Sequence, residues 1–149
     1  MGLETIFDAV AALSVTTPDI TPTVYNFDAI PNRVDAEMLP VRLLMPLQDR
    51  NAAGSAFTFI ALGKTARAER RIVDLLLLRS LAQSTNIKAP IEDLVQYVDA
   101  YEAAVRSNRG LTANAAITGL DVALGRFEFG GVEYFGAEMT LTIYEALSG

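Results

Sequence analysis

The chemistry open to this chain is set first by two residue types it lacks. Its 149 residues include no histidine and no cysteine. That removes the commonest general base, the commonest transition-metal ligand, the thiolate nucleophile and any disulfide framework. Catalysis would have to run on carboxylates, lysine, tyrosine or serine. Gly63-Lys64-Thr65 has the ending of a phosphate-binding loop, but such a loop needs a glycine five residues earlier so that backbone amides can cradle phosphate. That position is Thr58, and Phe59 to Leu62 reads as strand, so the tripeptide reads as a turn leaving a strand. Lys64, Arg67, Arg70 and Arg71 form a basic cluster suited to an acidic partner, to the lining of a DNA passage, or simply to a solvated hairpin end. Glu69 among them weakens the case for DNA. Asp74 stands in an apolar run and, if buried, needs a cation such as Arg42 or Arg79. Tyr97 and Tyr101, one helical turn apart, read as core packing.

Composition bounds the rest. Half of the residues are apolar and a fifth charged, which excludes disorder as the resting state, and the length suits one domain. A formal charge of −6 disfavours broad binding to phosphate backbones. The longest pure leucine run, Leu75 to Leu78, falls far short of the roughly 20 apolar residues of a membrane helix. Glu4 and Asp8 stand where a signal peptide would carry lysine or arginine. Met1-Gly2 resembles a myristoylation start, but Ile6 replaces the hydroxyl residue that pattern wants. Retention in the compartment of synthesis is the expectation, with no membrane partner and no cofactor.

The elements that must position these groups follow from periodicity. Leu3, Ile6, Phe7, Val10 and Leu13 recur at helical spacing, and Thr16-Thr17-Pro18-Asp19 ends that helix. Residues 18–38 read as an extended connection anchored by Tyr25 and Phe27. Leu39–Met45, between Pro40 and Pro46, suits an edge strand. Ala56–Leu62 follows as a second strand after the Gln48 to Gly54 loop. Arg70–Arg79, apolar on both faces, fits a central strand with helix as its rival. Residues 91–106 form the clearest helix, opened by Pro90 with Glu92 and Asp93 in the first turn. Its stripe is Ile91, Leu94, Val95, Val98, Tyr101 and Val105.

The last 35 residues read as one long hairpin turning at Gly130-Gly131. The turn fixes a register: Phe129 faces Val132, Glu128 faces Glu133, Phe127 faces Tyr134 and Gly125 faces Gly136. Leu124, Val122 and Leu120 then face Ala137, Met139 and Leu141. Apolar residues on the two sides of the glycine pair fall on opposite faces of the sheet, so a bend or bulge is expected there. The tip then either projects to meet a partner or wraps back onto the chain's own helix. Glu128 beside Glu133 is a like-charge pair that needs compensation, from Arg126 on the same face or from a second subunit. Two carboxylates could serve acid/base chemistry, but no nucleophile or oxyanion site accompanies them.

Together these readings give an α+β domain over residues 1–149. It has a mixed, mostly antiparallel sheet of about five strands, two main helices and a long C-terminal hairpin. Leu39-Pro40-Val41-Arg42-Leu43-Leu44-Met45-Pro46, Val73-Asp74-Leu75-Leu76-Leu77-Leu78-Arg79, the helix Leu94 to Tyr101 and the closing Phe129 to Gly136 resemble the tail-terminator and neck proteins of long-tailed bacteriophages. The likeness runs from about residue 39 onward through strand and turn patterns that other α+β domains share. It implies a structural virion protein, not an enzyme, without cofactor. Such a protein forms a ring, commonly a hexamer, that ends the tail tube and joins it to head-side connector or stopper proteins. DNA would pass without specific binding, and the chain would sit in the host cytoplasm during assembly and then in the virion. Under that reading Phe127, Phe129 and Tyr134 anchor the tip on a neighbour, and Arg126, Glu128 and Glu133 set register. Arg67, Arg70 and Arg71 meet an acidic partner, and the Gln48 to Gly54 loop supplies a further contact. The rivals are another connector or stopper, a small carboxylate-based enzyme or ligand-binding domain, and an assembly chaperone.

Overall fold

A computed structural model describes residues 2–45, 54–60, 65–81 and 88–148. In chain order the elements are α1 (Leu3–Ala11), β1 (Thr23–Tyr25), a 3-10 turn (Ala36–Met38), β2 (Val41–Met45) and β3 (Gly54–Ile60). Then come β4 (Thr65–Ser80), α2 (Lys88–Ser107), β5 (Ala115–Phe129) and β6 (Val132–Ser148). The strands form one six-stranded sheet ordered β1-β2-β4-β6-β5, with β3 also paired to β4. Only β1–β2 is parallel. This is the predicted α+β class. The extra strand is β1, three residues long and without an alternation that would announce it.

β4 is the spine. Its sixteen residues pair with β6 along their length, while the other edge takes β3 at Thr65–Arg71 and β2 at Val73–Leu77. Ile72 to Leu77 are therefore buried on both faces, which settles strand over helix for this segment. β2 is not the edge expected of it: β1 lies beyond it, and Pro40 precedes the ladder and accepts a hydrogen bond from the Thr23 amide at 3.2 Å. α2 starts two residues before Pro90, which sits in the first turn where its missing N–H costs nothing, and Glu92 and Asp93 lie beyond that turn. The Gln48 to Ala53 loop, Gly63 and Lys64 lie outside the described residues.

The hairpin forms in the predicted register, from Phe129↔Val132 through Gly125↔Gly136 to Leu120↔Leu141. Gly130 and Gly131 both take positive φ, 61° and 82°, as a tight primed turn demands. The buried side does change at the glycine pair. Ala137, Met139, Leu141 and Ile143 join the core under α1 and α2, whereas Phe127 and Tyr134 join a second core on the opposite face. The β5–β6 register runs unbroken through the glycine pair, but β4 shifts beside it, between Leu77 opposite Gly136 and Arg79 opposite Phe135, and a second shift lies at Ile117/Gly119 on β5. Gly136 has a different reason to be glycine, because a Cβ there would overlap the Leu76 carbonyl of β4.

A buried ionic centre ties the helices to the sheet. Arg42 of β2 and Asp74 of β4 point into the helix layer, fully buried, and Arg42 Nη2 donates to Asp74 Oδ2 at 2.6 Å. Arg42 Nη1 also donates to the Leu13 carbonyl at 2.7 Å, and Nη2 reaches the Val10 carbonyl at 3.4 Å. A cation from the sheet thus satisfies the carbonyl end of α1, which has no basic residue in its own last turn. From α2 the Tyr101 hydroxyl donates to Asp74 Oδ2 at 2.7 Å, and the Tyr97 hydroxyl donates to the Val15 carbonyl at 3.2 Å. Burial opposes the Arg42 charge, but Asp74 outweighs it and holds the guanidinium pKa above its ordinary value.

Removing one member leaves the other charge buried and unpaired. Asp74→Ala should cost about 3–5 kcal/mol, read as the shift of the urea midpoint at constant slope. Alkali probes the same centre. Burial, first of all, raises both Tyr97 and Tyr101 above the ordinary 10.0. Below that value folded and unfolded chains both hold the phenolic protons. Above it the unfolded chain releases them and the folded chain keeps them, so stability is complete below pH 10 and falls as pH rises beyond. Ultraviolet titration should show Tyr97 and Tyr101 ionising only as the chain unfolds.

Candidate assembly interface

The residues read from sequence as contact groups fall into two sets. Phe127 and Tyr134 are 5% and 1% exposed, packed with Val34, Val41, Leu43, Leu75 and Leu77. Phe129 is half-buried against the same cluster. The Tyr134 hydroxyl donates to the Val34 carbonyl at 2.6 Å, and burial, followed by the charge of Asp35, pushes that phenol up. A Cβ on Gly130 would come within 3.0 Å of the Asn32 carbonyl. The tip therefore packs on the chain's own 25–39 segment. It does not rest on the helix. Phe127 and Tyr134 are core residues, and their place as partner anchors is withdrawn; Phe129 keeps part of its surface exposed beside them.

Arg70 leaves the interface set for a similar reason. It is 8% exposed, and its Nε and Nη2 donate to Glu145 Oε1 at 3.1 and 2.8 Å. Nη1 donates to Ser55 Oγ at 3.0 Å, and the guanidinium lies 5.2 Å from the centre of the Phe57 ring. This is an internal clamp between β3, β4 and β6.

The second set stays at the surface. Glu128 and Glu133 are directly opposed and exposed at the hairpin tip, on the helix-side face, with Arg126 exposed beside them. None of the three has an ion-pair partner among the described residues. Arg126 forms no ion pair with either carboxylate. Arg67 and Arg71 are exposed on the opposite face of β4, toward the root of the hairpin. They oppose Ala146 and Thr142, thirteen and nine residues beyond Glu133 on β6, so roughly 40 and 30 Å separate them from the acidic tip at strand rise. Within one chain the opposite charges cannot meet.

Two further surfaces escaped the sequence reading. Arg67 borders a cavity of about 740 Å³ with Glu69, Thr112, Asn114, Tyr144 and Glu145. Its most buried carboxylate, Glu145, is held by Arg70, and the cavity offers no base paired with a nucleophile. The other surface is β5, whose outer edge bonds to the 109–112 backbone at Ala115 and Ile117 but pairs with no strand beyond them among the described residues, with Val122 and Leu124 38% and 46% exposed. Ile91 and Val95 of α2, expected in the core stripe, are 45% and 47% exposed, and Ile91 lines a cleft with Leu124. An alternating strand pattern signals which residues share a face, but not whether a helix reaches far enough to cover them.

No cluster of three or more acidic residues with metal-ligand spacing occurs among the described residues, and none of their helices is long and apolar enough to cross a membrane. Comparison with protein-family models gives no match, and comparison with curated proteins gives none either.

The split between core and surface is testable. Phe127→Ala should cost about 3–5 kcal/mol by urea unfolding, as large core truncations do. Glu133→Ala should leave stability unchanged or slightly raised, because it relieves a like-charge contact at an exposed site.

Proposed function

We propose that this chain is a structural virion protein of the neck of a long-tailed bacteriophage. In this reading it closes a homo-oligomeric ring, a hexamer, that ends the tail tube and joins it to head-side connector or stopper proteins. The reading takes its identity from the resemblance of the strand, helix and turn segments. Its physical support is the charge layout of one chain: an uncompensated acidic pair at one end of the hairpin, and exposed Arg67 and Arg71 at the other. Unlike charges on distant, different patches suit a head-to-tail contact, and head-to-tail contacts form a ring where the rotation between subunits closes. Arg126, Glu128 and Glu133 of one subunit would meet Arg67 and Arg71 of the next. Ring formation involves no catalysis and no cofactor, and DNA would pass through without sequence-specific contacts. Assembly would occur in the host cytoplasm and the product would remain in the virion.

A charge swap tests the contact. Glu128→Lys with Glu133→Lys should fold normally, since both sites are exposed, but fail to cap tail tubes in co-sedimentation. Arg67→Glu with Arg71→Glu should fail likewise, and an equimolar mixture of the two variants should regain capping, because alternating subunits set unlike charges against each other at every contact. Combining all four changes in one chain restores the complementary pairing and should recover capping. Full capping by the Glu128→Lys, Glu133→Lys variant would end this assignment of the ring contact.

A further inference from the structure

Edge strands in monomeric proteins are commonly blunted by lysine, proline or brevity. β5 has none of these over its middle stretch. From Ala115 to Gly125 the only charged residue is Asp121, and there is no proline. On its outer side the 109–112 backbone bonds to Ala115 and Ile117, and beyond Ile117 no strand pairs with it among the described residues. On the helix side of that edge Val122 and Leu124 are exposed and Leu120 is half-buried, with Ile91 of α2 beside Leu124.

The sequence of this stretch reads nearly the same in both directions. Gly119-Leu120-Asp121-Val122-Ala123-Leu124-Gly125 places leucines two residues either side of Val122 and glycines three either side. The structure bounds the same seven residues, with the register shift at Ile117/Gly119 on one side and Gly125, at φ 148°, on the other. We infer that two copies of this chain pair along β5, antiparallel, about a two-fold axis at Val122. The pairing sets Val122 against Val122, Leu120 against Leu124 and Gly119 against Gly125 of the second copy. All the apolar members then lie on the helix side of one continuous sheet.

Charge placement agrees with this register. Asp121 falls opposite Ala123, and Arg126 falls opposite Thr118, so no like charges are directly opposed across the seam. Arg71, which borders the same shallow cavity as Asp121 and Ala123, supplies a positive charge near the aspartate. Shifting the pairing by two residues would set Asp121 against Asp121 and Leu124 against Thr118 in one direction, and Leu120 against Arg126 in the other. Alternation forbids a shift of one. The occupant of the edge is therefore a second copy in a single register. The contact is isologous, uses the β5 edge and not the tip-to-arginine charges, and does not rest on the neck reading.

Because the chain has no cysteine, each introduced thiol is unique. Val122→Cys should crosslink to itself through a short thiol reagent, since directly opposed Cβ atoms lie about 5 Å apart. A mixture of Leu120→Cys and Leu124→Cys should give the mixed dimer in preference to either self-linked form. Wild-type chain should run as a dimer by light scattering, and Val122→Lys, at an exposed position, should run as a folded monomer by circular dichroism and mass. A monomer for the wild type at all concentrations would overturn the inference. So would a dimer that survives Val122→Lys, or a cysteine pattern in which Leu120→Cys links mainly to itself.

Discussion

Everything in this fold converges on the Arg42–Asp74 pair. Each residue comes from a different strand of the sheet, and each is fully buried on the face that the helices cover. Neither charge could stay there alone. The guanidinium also donates to the Val10 carbonyl of α1 and to the Leu13 carbonyl two residues past its end, and the carboxylate takes the Tyr101 hydroxyl from α2. Two helices far apart in sequence are thus located by hydrogen bonds whose geometry is fixed, where apolar packing alone would tolerate sliding. Arg42 also lies 5.6 Å from the centre of the Tyr101 ring, which adds attraction where both side chains are fully buried.

The helices cover only part of their face, leaving Val122, Leu124 and the acidic hairpin tip exposed on it, and the opposite face is divided in turn. Near the hairpin tip the 25–39 segment covers it, drawing in Phe127 and Tyr134 through a second apolar cluster. Toward the root the same face carries Arg67, Arg71 and the 47% exposed Tyr144. The buried aromatics Phe127 and Tyr134 thus serve the monomer, while the charges of the tip and the β5 edge beyond Ile117 stay exposed. Antiparallel sheets tolerate such a wet face, because their strands alternate between core and solvent.

How far the sequence carried can be judged from particular residues. The hairpin register was legible because Gly130-Gly131 fixes the turn and side chains alternate strictly from there. Asp74 was legible as a buried acid with Arg42 among its two candidate partners, since a charge in an apolar strand has few options. Burial of Phe127 and Tyr134 by the chain itself was not, because their cover comes from a segment with no periodicity of its own. Arg70 looked like surface charge because its partner, Glu145, lies 75 residues away. The helical stripe was read too broadly at Ile91 and Val95, since a helix lying near a sheet edge buries a narrower strip than its apolar residues suggest.

The central claim is that this chain completes its surfaces against other protein subunits, at the end of a tail tube. Electron microscopy of tail tubes mixed with the purified chain tests that most directly. The account predicts a closed ring at one end of each tube, with the hairpins running head to tail around it. Bare tube ends, with the chain left in solution at saturating concentration, would contradict it.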